Sequence, residues 1–452
     1  MLGESLLLAN FIAYNTRIVL MGTLLLGMCA GVVGAFMLLR KKALVGDVAS
    51  HAALPGIGIA YLVAEGISPG SGKSLPVLLV GASISAGCGV VLASLIQRLR
   101  LIKEDAALGI VLSLFFGLGI VLLTIIQGMK TGTAAGLNDF VFGKTAAITF
   151  ADVVLIAIAS LIVLVVCASL FKELTILCFD EEYAAALGWP AKRLDLLLTA
   201  LVVGVTVIGM QSVGLLLVVA LLIIPPTAAR FWSDRLGPMV TISSAIGGLS
   251  CSLGVLLSAN FERLAAGPII VLSGAALFLF SLLFGSRRGT VKLYWRHQQA
   301  IQKKGQLDLL RTCYEDVERR LSPAEIARLQ QGKDLPDLTP YPISLGSLTA
   351  ARAWTEGRLS RFLRAAILDG SLRSDSEGNF RLTQSGTRFA ARAVRNHRLW
   401  EMYLIHFADI DLNRVDRDAD LIEHVLEPGI VEQLETLLKQ EQSRAIPTNP
   451  HG

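Results

Sequence analysis

The chain has 452 residues, 53% of them apolar and 17% charged, with a mean hydropathy of +0.60 and a formal net charge of +5. That balance excludes a protein soluble along its whole length. The six cysteines include no CxxC pair and read as small apolar filler, so they supply no thiolate motif.

The average hides a divide. From about Thr16 to Phe284, apolar runs repeat with short polar breaks, and runs of about 20 apolar residues match a bilayer core. From Ser286 onward charge is dense and long apolar runs stop. The expected fold is mainly α: a polytopic helical membrane region of eight or nine spans over 1–285, a polar basic linker over 286–305, and a small cytoplasmic winged-helix and helical domain over 306–452. The first apolar stretch merges with a full span and lacks a basic n-region, so no cleavable signal is expected.

In chain order, spans are expected at 16–39, 51–65, 75–97, 106–127, 150–170, 193–209, 213–229, 239–259 and 267–285. If each crosses once, the basic clusters Arg40-Lys41-Lys42, Arg98/Arg100/Lys103, Lys172/Lys192/Arg193, Arg230/Arg235 and Arg287/Arg288 share one side. The positive-inside rule makes that side cytoplasmic, with the N-terminus outside and the tail inside. The second span is short and contains Pro55, so a broken or re-entrant segment is expected there. Pro225-Pro226 is expected to kink or end the seventh span. Glycines crowd the spans, as close helix packing in lipid requires.

Gly70-Ser71-Gly72-Lys73-Ser74 looks like the end of a phosphate-binding loop. It lacks the glycine five residues before Gly72, which is Ile67, and no strand precedes it. Nucleotide binding by this chain is therefore not expected, and an ATP-driven process would need a separate ATPase.

Asp47 and His51 stand i, i+4 apart, and His51 is the single histidine of the membrane region. Two readings are open. Asp47 caps the second span with His51 in its first turn, or the two share a helix face at membrane depth and present an oxygen and a nitrogen to a passing divalent cation. Pairing across a homodimer axis would give four ligands.

The tail is expected to hold helices near 306–320 and 322–331, then short helices at Leu348–Trp354 and Arg358–Asp369. Two strands, Ser371–Arg373 and Asn379–Leu382, follow as a β-wing. Arg358, Arg361 and Arg364 form a basic face suited either to DNA phosphates or to a solvated, protein-docking wing. A long helix from Thr383 to about Phe407 carries His397 and Glu401 at i, i+4, and a later helix carries Asp420, Glu423 and His424 on one face. A solvated acidic helix is the plainer alternative, but three of the six histidines cluster here. Carboxylates with imidazole and no thiolate suit manganese or ferrous iron better than copper.

Two resemblances add to these readings. The run Phe36–Gly56, with Arg40-Lys41-Lys42, Asp47, His51 and Pro55-Gly56 in place, resembles the signature of the manganese/zinc/iron ABC transporter permease family. The likeness continues through Gly136–Gly143, Phe179–Gly188, Gln211–Gly214 and Pro225–Arg230, covering roughly 10–285. It implies a permease of the bacterial cytoplasmic membrane, working as a homodimer or paired dimer with two cytoplasmic ATPases and an extracytoplasmic metal-binding protein. It also implicates Asp47 and His51 in metal passage. Asp180, Glu181, Glu182 and Gly188 lie in a loop on the basic side; acidic residues there favour a short helix start, which the resemblance implies couples to the ATPase.

Leu382–Gly386, His397–Glu401 and Asp420–His424 resemble blocks of the diphtheria-toxin-repressor-like iron- and manganese-dependent regulators, and Leu310–Glu315 resembles their first helix. Implied ligands are Asp308, Asp420, Glu423 and His424, with His397 and Glu401 nearby. Arg311 departs from the family's pattern by standing where manganese-responsive members carry a ligand carboxylate, and Asp416 by standing where iron-responsive members carry a histidine.

The expected function is a membrane permease subunit of an ATP-driven importer of divalent metal, manganese or iron before zinc, with a cytoplasmic metal-sensing domain and no enzymatic activity of its own. The alternatives are a membrane-tethered metal-dependent transcription regulator and a zinc permease with a vestigial tail.

Overall fold

The structure, a computed structural model, describes residues 14–68, 74–98, 102–129, 143, 145, 148–261, 264–322, 325, 338–352, 354–376 and 378–407. The chain divides into two compact units, Met1–Leu293 and Tyr294–Gly452.

The first unit is helical. Its elements are α1 (Tyr14–Leu39), α2 (Val45–Ile67), α3 (Leu75–Arg98), α4 (Glu104–Gly128), α5 (Phe150–Ser169), α6 (Phe171–Phe179), α7 (Glu181–Ala186), α8 (Ala191–Val213), α9 (Leu215–Ala229), α10 (Leu236–Asn260) and α11 (Ala266–Phe284). Among the described residues, eight of these helices are long and apolar enough to cross a membrane. Side chains such as Ile84, Leu161 and Leu272 point outward, as spans facing lipid require.

Two expectations are corrected. The second span is neither short nor broken: α2 runs 23 residues, with Pro55 inside it. The short apolar helix is α9, at 15 residues, about 22 Å and less than the roughly 30 Å of a bilayer core. It is separated from α8 by Gly214, whose φ of +87° suits glycine and breaks the helix. Pro225 and Pro226 do not end α9 themselves, which continues to Ala229.

Glycine sets the packing. A Cβ placed on Gly247 would lie 2.2 Å from the Gly27 carbonyl oxygen, so α1 and α10 touch backbone to backbone. Ser243 adds a hydrogen bond to the Gly31 carbonyl at 2.7 Å. Likewise Gly56 of α2 abuts the Gly81 carbonyl of α3, and Ser85 donates to the Ala52 carbonyl at 2.6 Å. Gly119 of α4 leaves room for Leu54 and Pro55. We expect Gly247→Leu to destabilise the bundle by at least about 3 kcal/mol, the upper end for overpacking, because the obstacle is backbone. Gly87→Ala, with nothing within 4 Å, should be neutral. Thermal unfolding of the two detergent-solubilised variants checks this, and equal midpoints would refute it.

Helix α12 (Thr290–Glu318) lies mostly in the second unit, and most of the segment expected as a linker over 286–305 is helical. Its side chains are largely exposed up to Lys303, and the buried stretch begins at Gly305, whose Cα lies against the Phe362 ring. Next come α13 (Leu345–Ala351), α14 (Glu356–Leu368), β1 (Leu372–Ser374), β2 (Phe380–Leu382) and α15 (Gln384–Phe407). Ser344 starts α13 earlier than expected by accepting a hydrogen bond from the Ser347 N–H at 3.1 Å. The strands pair antiparallel with Leu372 opposite Leu382, and Ile343 bridges to Phe380. Leu310, Tyr314, Val317, Leu359, Leu372 and Val394 belong to one core, so helices, wing and long helix share a single hydrophobic cluster.

Candidate metal pathway and coupling site

Helix α2 begins two residues before Asp47. Its N-cap is Leu44, which makes no side-chain cap, and Asp47 sits inside the first turn. The capping alternative therefore does not hold. The next turn brings His51 beneath it, with Nε2 3.3 Å from the Asp47 carboxylate. The side chains are 26% and 16% exposed respectively, sheltered yet reachable. A cation bound about 2.1 Å from each donor at near right angles needs the donors about 3 Å apart, so the pair is spaced for chelation.

Its surroundings support that use. The Nδ1 atom of His51 is buried with no hydrogen-bond partner among the described residues. Phe116 of α4 meets the imidazole edge-on, ring centroids 5.0 Å apart. Pro55 has no N–H, so the His51 carbonyl cannot accept the usual bond from four residues on. Carboxylate, imidazole and a carbonyl without its helical partner thus gather on one turn. Among the described residues, no three His, Cys, Asp or Glu side chains converge as a metal site.

The predicted coupling loop contains a real helix, α7. Asp180 caps it, accepting from the Tyr183 N–H at 2.8 Å, and Glu181 and Glu182 fill its first turn. Gly188 follows it at φ +83°. Ala184 is buried, while Tyr183, Leu187 and Trp189 are exposed.

What anchors α7 was not anticipated. Arg40, just after α1, reaches Glu181 at 3.0 Å, Asp195 of α8 at 2.9 Å and the Leu177 carbonyl at 2.9 Å. Lys42 meets Asp195 at 2.7 Å. Burial works against the Arg40 charge, but hydrogen bonds to Asp195 and Glu181 more than offset it and raise its pKa. Lys41 turns the chain between α1 and α2 at φ +57°. In the sequence the Arg-Lys-Lys run serves as a topology signal and as part of the family signature; Asp195, 153 residues away from Lys42, carries no local signal. Asp152, buried at the start of α5, was also missed. It forms a capping box with Thr149 and accepts from Gln211 at 3.2 Å, tying α5 to α8.

In the tail, Asp308 lies 3.5 Å from Arg352, and His397 Nδ1 lies 2.7 Å from Arg311. Cys313 is buried in the same unit, and that burial pushes its thiol up to about 12. Arg358, Arg361 and Arg364 are exposed along α14. The side chain of Glu401 and all of Asp420, Glu423 and His424 lie outside the described residues.

Apolar helices packed through glycine, with one acid–imidazole pair on an inner helix, define a polytopic membrane transport protein. The chain belongs to the ABC 3 transport family, whose model matches residues 13–285. A second match, to the iron dependent repressor metal binding and dimerisation domain, covers residues 383–452. The chain is 36% identical to the manganese transport system membrane protein MntC of Bacillus subtilis over 406 residues, 90% of this chain and 87% of that one. It is 38% identical to the zinc transport system membrane protein TroC of Treponema pallidum over 66% of this chain and 99% of that one. Among solved structures, PsaBC from Streptococcus pneumoniae in complex with Fab matches with a TM-score of 0.55 and 31% identity, over 65% of this chain and all of that one. The protein is a multi-pass protein of the cytoplasmic membrane, an ABC-type permease with a repressor-type C-terminal domain.

Proposed function

We propose that this chain is the membrane subunit of an ATP-driven importer of divalent metal, manganese or iron. The carrying observation is the Asp47–His51 pair, two hard donors 3.3 Å apart on the α2 turn where Pro55 releases a carbonyl. A cation descending the permease is held there by carboxylate and imidazole, with the same pair of a second permease copy completing its shell. Metal arrives from an extracytoplasmic binding protein. Cytoplasmic ATPases dock on α7 and supply the work. The tail lies in the cytoplasm and responds to metal through Asp308, Asp420, Glu423 and His424. The relative named for manganese supports this metal choice; the relative named for zinc keeps zinc as a second reading.

The test is metal accumulation by cells expressing the permease with its ATPase and binding protein, offered manganese, iron and zinc in turn. Manganese or iron uptake is expected to exceed zinc uptake, and zinc preference would overturn the metal assignment. A chain truncated after Arg288 should still import, but should no longer slow when internal metal is high. Unchanged slowing in that variant would remove the tail from regulation.

A further inference from the structure

The second unit sets a buried guanidinium, that of Arg311, against His397, which lies in the stretch matching the iron dependent repressor metal binding and dimerisation domain. Arg311 of α12 is 6% exposed and His397 of α15 is 1% exposed. Arg311 Nη1 stands 2.7 Å from His397 Nδ1, and Arg311 Nε donates to Glu315 at 2.8 Å. A guanidinium only donates and stays protonated. The Nδ1 lone pair of His397 is therefore the acceptor, and the neutral ring carries its proton on Nε2.

An imidazole that binds metal must offer a lone pair. On His397 one nitrogen is engaged by Arg311 and the other is protonated. A divalent ion in reach of Nδ1 would also face a buried guanidinium of like charge, whose own charge is already balanced by Glu315. Among the described residues, the donors do not fit a metal at this position.

We propose that Arg311 is a built-in replacement for a metal ion at His397, so that His397 is no metal ligand in this chain and α12 and α15 are joined without metal. A separate observation agrees. Glu318, seven residues beyond Arg311, takes both Arg398 terminal nitrogens, at 3.0 and 2.5 Å. The same two helices are thus clamped twice, by Arg311–His397 and Glu318–Arg398, with Tyr314, Val317 and Val394 buried in the same core. Metal sensing by the tail then depends on ligands other than His397. This inference is independent of the metal imported.

The test uses the full chain in detergent, stripped with chelator. Bound manganese is counted by electron paramagnetic resonance in wild type and His397→Gln, a variant that keeps an acceptor for Arg311. Equal stoichiometry, with affinities within about twofold, is expected; loss of one manganese per chain, or weakening beyond about tenfold, overturns the proposal. A second measurement needs only wild-type protein to fold. With histidine labelled by nitrogen-15, the His397 resonances should not move when zinc is added, and movement overturns the proposal. In Arg311→Met the same resonances should move with zinc. If that variant folds and they stay in place, Arg311 is not what excludes the metal, and the proposal fails.

Discussion

Asp47→Ala and His51→Ala permeases are expected to insert in the membrane, bind the ATPase and import no metal. Each substitution removes one of two donors that stand 3.3 Å apart. Altering a residue that merely hydrogen-bonds a metal ligand costs about 10–100-fold in affinity, so deleting a ligand should cost more. Folding should suffer little. Asp47 does not cap α2, and the packing of that helix rests on Gly56 against α3 and on Gly119 of α4 against Leu54 and Pro55. Radioactive manganese uptake into cells, beside a membrane-fraction immunoblot, measures both quantities. Wild-type uptake by either correctly inserted variant would take the pair out of the pathway.

Asp195→Ala is expected to uncouple the permease from its ATPase. Asp195 faces both Arg40 and Lys42, and Arg40 alone links it to Glu181 on α7. Removing one partner of a sheltered pair leaves charge uncompensated, at a cost on the order of 3 kcal/mol. The lost tie is the one between α7 and the membrane helices. Asp195→Asn, which keeps hydrogen-bond acceptance, should fall between wild type and Asp195→Ala. Glu182→Lys tests the outward side of α7: Glu182 is exposed, so charge reversal should weaken ATPase docking without altering stability. A bulky residue at Gly188 should add roughly 1–2 kcal/mol of strain, because φ is +83° there. Co-purification of the ATPase and ATP hydrolysed per metal imported report on all four variants. Unchanged co-purification and unchanged uptake in Asp195→Ala and Glu182→Lys together would refute a coupling role for α7.

Local order explains which elements were legible. Long apolar runs marked the membrane helices because burial from water favours any such run in lipid, whatever its neighbours. Alternation and turn residues marked the wing: Asp375 N–H bonds the Asn379 carbonyl at 2.8 Å and Gly378 takes φ +79°, both consequences of residues close in sequence. Helix α7 was visible as acidic residues at a helix start, where Asp180 caps it. The start of α2 stayed open in the sequence because Asp47 is a good capping residue taken alone, whereas the helix starts at Val45, before it, with Val45 and Val48 buried. The segment expected as a linker is helical without showing it in the sequence. Its polar side chains form no packed face before Gly305, so periodicity gave no sign of the helix that α12 maintains through it.

By itself, the sequence determined the membrane class, the two-part organisation and the identity of the acid–imidazole pair, because hydropathy and i, i+4 spacing act within a few residues. Only the tertiary structure decided which charges answer one another. Arg40 finds Asp195 across 155 residues, and Arg311 finds His397 across 86. An arginine in a sequence can serve as a topology signal, a phosphate contact or a buried counter-charge with equal ease. Its role is chosen by the carboxylate or imidazole that folding places within hydrogen-bond reach, where low dielectric makes the pairing strong and its absence costly.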